Sequence, residues 1–246
     1  MHPLIVIPAR FGSVRLPGKP LCEICGEPLV RIVVRNVLNF DLDAHVVLAT
    51  DDVRVEKAVT GLGVQSVVTS QKHRSGTERV AEVTERPEFA EFERIVNIQG
   101  DQPYLPREAA IGALQQIAAG FPIGTAAVPL QAQQGSNRNR VKVAVNREGH
   151  ALSFSREMPT APKNDNTPDV FLHLGIYAYT REALINWVSL PPTAAESDEN
   201  LEQLRPLLHG TPIGVALLDE PVESGVDTLD DLRHAQSSTA LTRTNK

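Results

Sequence analysis

The stretch Leu4-Ile5-Val6-Ile7-Pro8-Ala9-Arg10-Phe11-Gly12-Ser13-Val14-Arg15-Leu16-Pro17-Gly18-Lys19-Pro20 decides how this chain is read. Residues 4–7 are an apolar run that reads as a buried strand. It opens directly into a loop carrying Arg10, Arg15 and Lys19 with Gly12 and Gly18. Such a loop at the carboxyl end of a first parallel strand suits a nucleoside triphosphate. Backbone N–H groups line the phosphates while the cations offset their charge. The P-loop pattern fails on two counts. Five residues rather than four separate Gly12 from Gly18-Lys19, and Pro20 stands where a magnesium-binding Ser or Thr is required. A solvated basic loop is the alternative, and the glycine content argues against it.

Working outward, strand-like runs alternate with amphipathic helical patterns. Strands are expected at 45–49, 65–69 and 95–99, and helices at Leu29–Leu38, 53–62, 77–85 and 107–119. An aspartate of Thr50-Asp51-Asp52 can cap the second helix. This alternation predicts an α/β fold, a mostly parallel nucleotide-binding sheet flanked by helices. Ligands on such sheets gather beyond the carboxyl ends of the strands. Arg10, Asp51, Asp52 and Asp101 all follow strand ends, so they can converge. After 119 the pattern changes. Short strands at 125–130, 141–145 and 151–155 read as an antiparallel meander, and 159–169 as a loop. A strand at 172–178, helices at 181–188 and 200–208, and a strand at 213–218 follow. Thr228 caps a final helix, and the polar chain from Ser237 is expected to fray. The organisation is therefore one domain over residues 1–246 with an inserted subregion at about 125–212.

Composition narrows the class. A hydrophobic content of 41% is that of an ordinary globular core, and a net charge of −6 gives no support for nucleic-acid or membrane-surface binding. No apolar run reaches the roughly 20 residues needed to span a bilayer. With no secretory signal visible, a cytoplasmic protein is expected. Cys22 and Cys25 form a lone C-x-x-C with no second pair, so two incidental reduced thiols are expected.

Three further segments sharpen the reading: Arg74-Ser75-Gly76-Thr77-Glu78-Arg79, Val96-Asn97-Ile98-Gln99-Gly100-Asp101-Gln102-Pro103, and Gly225-Val226-Asp227-Thr228. Between the last two of them come Phe154-Ser155-Arg156, His173-Leu174-Gly175-Ile176-Tyr177 and Leu201-Glu202-Gln203-Leu204-Arg205. In this order the set resembles the 3-deoxy-manno-octulosonate cytidylyltransferases, from Ile5 to about Leu232. The resemblance implies a nucleotide-diphospho-sugar transferase-like fold whose smaller part serves sugar binding and dimerisation. It implies a homodimer that joins a 2-keto-3-deoxy sugar acid to CTP with Mg2+, for lipopolysaccharide biosynthesis.

By the same resemblance, Asp101 and Asp227 bind the metal. Read without it, they are a turn residue after Gly100 and a helix cap. Pro8, Ala9, Arg10, Arg15, Lys19, Ser75, Gly76, Thr77 and Asp101 are implied to bind the nucleotide, with Arg10 and Lys19 also counted as catalytic. The division of labour among the three loop cations stays open, since Arg10 also suits a sugar carboxylate. Ser75 reads equally well as a helix cap. Gln99, Arg156, His173, Tyr177, Glu202 and Gln203 are implied to bind the sugar. Two departures from the family stand out: Gln102 where it usually has Glu, and the segment after Arg156. Other sugar acids, an 8-amino analogue or a sialic acid, are therefore alternatives, as is a non-catalytic nucleotide sensor.

Overall fold

The computed structural model describes residues 2–158, 168–223 and 225–244. The chain divides into two compact units: Met1–Phe92 with Asn97–Leu105 and Glu223–Lys246, and Glu93–Val96 with Pro106–Val222.

In the first unit the strand Leu4–Ala9 is buried at every position. It pairs in parallel with His45–Thr50, Leu4 opposite His45 and Ala9 opposite Thr50. His45–Thr50 pairs in parallel with Gln65–Val68. Ile98 and Gly100 donate to the Val6 and Pro8 carbonyls, each at 3.1 Å, which lays the segment before Asp101 along the first strand. Helix Leu29–Leu38 forms where expected, because Leu29, Val30, Val33, Val34 and Val37 make one apolar stripe that is buried. Each such side chain is worth about 1.5–3 kcal/mol relative to exposure. The helix expected at 53–62 stops at Ala58. Gly61 and Gly63 take φ of 86° and 76°, left-handed backbone that ends a helix. Asp52 caps it, accepting the Arg54 N–H at 2.8 Å.

A hairpin unread in the sequence, Glu23–Ile24 against Glu27–Pro28, follows the phosphate loop. Its turn residues Cys25 and Gly26 have φ of 51° and 82°, as a type I′ turn requires. The C-x-x-C therefore spans a turn. Cys22 Sγ and Cys25 Sγ approach different carbonyls, Gly18 and Gln236, and both thiols are free. The closing helix runs Leu229–Thr244, so regular structure continues beyond the Ser237 at which fraying was expected. Thr228 Oγ1 accepts the Asp231 N–H at 3.2 Å, and Asp231 Oδ2 accepts the Thr228 N–H at 2.8 Å.

The second unit is mixed, and it corrects the meander. Ile123–Pro129 pairs in parallel with Ile213–Leu217 and antiparallel with Asp169–Thr180. Lys142–Val145 lies between Asp169–Thr180 and Ala151–Ser155, antiparallel to both. The long strand Asp169–Thr180 thus separates the first expected meander strand from the other two. Residues 200–208 are not one helix. Ala194–Glu199 forms a helix that the sequence reading missed. Its C-cap Asn200 turns left-handed at φ 51°, and Leu204–Leu208 starts again beyond it. Of the loop expected at 159–169, residues 159–167 lie outside the described residues. Among the described residues, no helix is long and apolar enough to cross a membrane.

Candidate active site

Three segments of the first unit meet at one ammonium group. Leaving the first strand, the chain turns at Phe11, buries Leu16 and Pro20, and closes with Gly18 at φ 66°. Lys19 is thereby held inside the loop with its side chain 15% exposed. Its Nζ donates to Asp227 Oδ1 at 3.0 Å and makes a short hydrogen bond to Asp101 Oδ2. Arg15 Nη2 donates to the same Asp227 oxygen at 3.0 Å. Burial alone would lower the Lys19 pKa, but Asp101 and Asp227 together outweigh it and raise it. The ammonium is therefore fully charged at neutral pH.

Close backbone approach makes this convergence possible. A Cβ on Gly100 would lie 2.8 Å from the Pro8 carbonyl, and one on Gly225 would lie 2.8 Å from the Asp101 carbonyl. The Val226 N–H donates to that Asp101 carbonyl at 2.8 Å, tying the two aspartate segments together. The Gln102 amide lies over Gly225 and adds no charge beside the pair. Among the described residues no group of three or more His, Cys, Asp and Glu side chains is arranged to hold a metal ion. The cation-binding capacity here is that of two carboxylates.

Ser75 caps the helix Gly76–Thr84, its Oγ accepting the Glu78 N–H at 3.2 Å. The cap reading is thus realised, with Glu78 turned back to the Arg74 N–H at 2.7 Å. Gly76 lies against the Gln99 side chain, whose amide atoms are 2.9 Å from where a Cβ would stand. Gln99 in turn donates to Asn97 Oδ1 at 3.2 Å. Thr77 is fully buried, and its hydroxyl has no hydrogen-bond partner among the described residues. Pro8 and Ala9 end the first strand, and Arg10 is exposed beyond it.

The second unit brings two of the expected sugar residues, His173 and Tyr177, into ring contact at 5.3 Å on the long strand. A bulge lies between them. Thr125 Oγ1 donates to the Ile176 carbonyl at 2.5 Å and contacts His173 Nε2 at 2.8 Å. Because that hydroxyl has one proton, His173 Nε2 must be the donor, and Nδ1 carries the lone pair. Burial lowers the His173 pKa to about 3, so the ring is neutral. Tyr177 is raised well above its usual value, by burial first and then by Tyr179 and Glu202. It is a neutral hydroxyl, and its oxygen has no hydrogen-bond partner among the described residues.

Arg156 is engaged with backbone. Its Nε donates to the Glu199 carbonyl at 2.8 Å, Nη2 to Asn200 at 3.2 Å and Nη1 to Arg138 at 3.1 Å. It thus staples the left-handed turn at Asn200 that leads to Glu202 and Gln203, the latter buried. Lys142, 1% exposed, donates to the Asn137 and Arg156 carbonyls, each at 2.8 Å. Sequence reasoning missed Lys142 and Thr125, since a single Lys or Thr within a short strand gives no local signal. Arg79, for which the sequence indicates no direct ligand role, is buried and ion-paired with Asp51.

The chain matches the cytidylyltransferase family over residues 4–213. It is 44% identical over 243 residues to the 3-deoxy-manno-octulosonate cytidylyltransferase of Gemmatimonas aurantiaca, covering 96% of this chain and 94% of that protein. The enzyme of the same name from Idiomarina loihiensis is 41% identical over 246 residues, covering 94% and 96%. A solved structure of CMP:2-keto-3-deoxy-manno-octonic acid synthetase complexed with CTP is similar with a TM-score of 0.88 and 36% identity, covering 98% of this chain and all of that one.

Proposed function

Because the chain belongs to the 3-deoxy-manno-octulosonate cytidylyltransferase family, we propose that it joins 3-deoxy-manno-octulosonate to CTP, giving the CMP-sugar and pyrophosphate. The observation that carries this reading is the Lys19 ammonium held between Asp101 and Asp227. A cation already stands between two carboxylates that arrive from distant segments. Magnesium, a hard ion that takes one or two carboxylates plus substrate oxygens, fits that donor set. Asp101 and Asp227 would hold it. When bound, magnesium neutralises phosphate charge and makes a nearby hydroxyl more acidic.

The chain's own residues do the rest. The anomeric hydroxyl oxygen, giving up its proton to solvent, bonds to the α-phosphorus as the bond from that phosphorus to the bridging oxygen breaks, and pyrophosphate leaves with the electron pair. A sugar carboxylate and a triphosphate repel one another, so the site must supply positive charge before they can meet. Arg10, Arg15 and Lys19, all charged at neutral pH, supply it from one loop. Arg15 and Lys19 compensate the two aspartates without substrate, and in the reaction they face the triphosphate. Pro8 and Ala9 bring the backbone to the nucleotide, and Ser75, Gly76 and Thr77 approach the base and ribose. The buried Thr77 hydroxyl offers a donor and an acceptor there.

On the sugar side, Gln99, Arg156, Glu202 and Gln203 offer donors and acceptors to a polyhydroxy acid. His173 Nδ1 accepts, and the Tyr177 hydroxyl donates. Neutral groups suit a polyhydroxy ligand, because they bond hydroxyls without adding charge next to its carboxylate. The homodimer, the cytoplasmic location and the supply of lipopolysaccharide assembly, all implied by family resemblance, belong to the same reading.

Pyrophosphate release from CTP and magnesium, with octulosonate, its 8-amino analogue and a sialic acid in parallel, tests the reaction. Turnover with octulosonate is expected. Turnover confined to the sialic acid, or saturable CTP binding without turnover with any of the three, refutes it.

A further inference from the structure

Asp51 has no part in the reaction as described, yet it touches both segments assigned to the nucleotide. Its Oδ1 accepts the Phe11 N–H at 2.9 Å, at the start of the phosphate loop. Its Oδ2 accepts from Arg79 Nη2 at 3.0 Å, on the helix that begins with Gly76 and Thr77. Arg79 is 2% exposed and is anchored further by Nη1, with a short bond to Thr69 Oγ1 and one of 3.2 Å to the Ser70 carbonyl. Burial lowers the Arg79 pKa, Asp51 opposes that shift, and nearby Arg10 adds to it. Asp51 is thus the main counter-charge to Arg79, with Glu82 adding to it.

Phe11 carries the constraint into the loop. Its ring lies against Gly18, at the far end of the loop. On it sits the Arg54 guanidinium, 3.7 Å from the ring centroid. Arg54 is itself fixed by Asp52, through Nε at 2.9 Å and Nη2 at 2.6 Å. With its N–H on Asp51 and its ring touching both Arg54 and Gly18, Phe11 ties the two ends of the loop to the residues that follow strand His45–Thr50.

We propose that Asp51, through the Phe11 N–H and the buried Arg79, is a positioning residue that sets the spacing between the Arg10–Lys19 loop and the N-terminus of helix Gly76–Thr84, and so governs affinity for the nucleoside triphosphate. A carboxylate cannot serve by meeting the phosphates, which it repels; it acts by holding the donors that do. The inference rests on the reading that both segments hold CTP. It predicts a defect confined to one substrate.

The test compares Asp51→Asn, Asp51→Ala and the double variant Asp51→Asn/Arg79→Gln with the wild type. Asparagine keeps an oxygen for the Phe11 N–H and sheds the charge, alanine removes both, and the double variant leaves no buried charge unpaired. Thermal melting establishes folding, calorimetry gives CTP affinity, and steady-state kinetics give both KM values. Asp51→Ala should weaken CTP binding and raise its KM about tenfold or more, and Asp51→Asn about threefold, with the sugar-acid KM within about twofold. If neither single variant folds, the double variant carries the expectation of at least about a threefold loss. Folded variants that bind CTP as the wild type does overturn the inference alone. Equal defects toward both substrates, tracking lost stability, overturn it as well. A wild type that binds no CTP overturns this inference and the proposed reaction together.

Discussion

Replacing Lys19 by methionine is the most direct perturbation of the site, because it keeps the side chain's bulk and removes only the charge. In the wild type one ammonium, 15% exposed, serves two carboxylates that are 20% and 27% exposed. At 3.0 Å the attraction to Asp227 is about 5 kcal/mol for an effective dielectric constant near 20. The cost of taking the ammonium out of water offsets roughly half of that. After Lys19→Met, Arg15 still reaches Asp227, but from a side chain 47% exposed. The expected loss is therefore about 2–3 kcal/mol of folding stability at pH 7 and low salt. Urea unfolding measures it.

The sign with pH is fixed by the raised Lys19 pKa. Its contribution is complete below 10.5, the unfolded value, and is lost as pH climbs through the folded value. The gap between wild type and variant should accordingly close in alkaline solution. Millimolar magnesium should return part of the loss to the variant and stabilise the wild type less, because in the wild type the ammonium already occupies the carboxylates. CTP use should weaken in parallel. A variant as stable as the wild type at pH 7 and indifferent to magnesium would show that these carboxylates do not share a charge.

Asp101→Asn and Asp227→Asn preserve shape, and each should lower turnover at least about a hundredfold, read by pyrophosphate release; near-normal rates in either would refute that residue's role at the metal. Gly225→Ala puts a methyl 2.8 Å from the Asp101 carbonyl. It should shift Asp227 and cost about tenfold or more in kcat/KM, and wild-type kinetics would show that the close approach is dispensable. His173 has its pKa lowered from 6.5 to about 3 by burial. Stability is therefore whole above pH 6.5 and falls as the unfolded chain takes up the proton. Between pH 6.5 and 5 the wild type should lose about 1.6 kcal/mol more than His173→Gln, measured by urea unfolding at each pH. Parallel pH profiles for the two proteins would contradict a buried neutral ring.

Much of the fold was legible wherever the chemistry is local. Leu29–Leu38 repeats its valines at helical spacing, and its bounds could be read directly. Ser75 and Thr228 cap helices because their hydroxyls lie three residues from the N–H they accept. Other elements were hidden because their signal is weak or comes from elsewhere. Ala194–Glu199 is a six-residue helix that buries no side chain, so it leaves no apolar stripe to find. The break at Asn200 is stapled by Arg156, more than forty residues away in the chain.

The candidate site divides in the same way. Order along the chain singled out Arg10, Lys19, Asp101 and Asp227, since each stands in a short segment whose neighbours are characteristic; of these, Lys19, Asp101 and Asp227 meet. That Lys19 would stand between the two aspartates, or that Asp51 would join Phe11 to Arg79, could not be read from spacing. Such pairs are 28 to 208 residues apart, and only parallel strands laid side by side, with glycines allowing backbone contact, bring them within hydrogen-bonding distance. The amino-acid order by itself determined which groups are present and which local elements carry them. Tertiary structure alone decided which charges meet and which are stripped of water, because charge interaction and desolvation depend on distance and burial, and neither is a property of the linear chain.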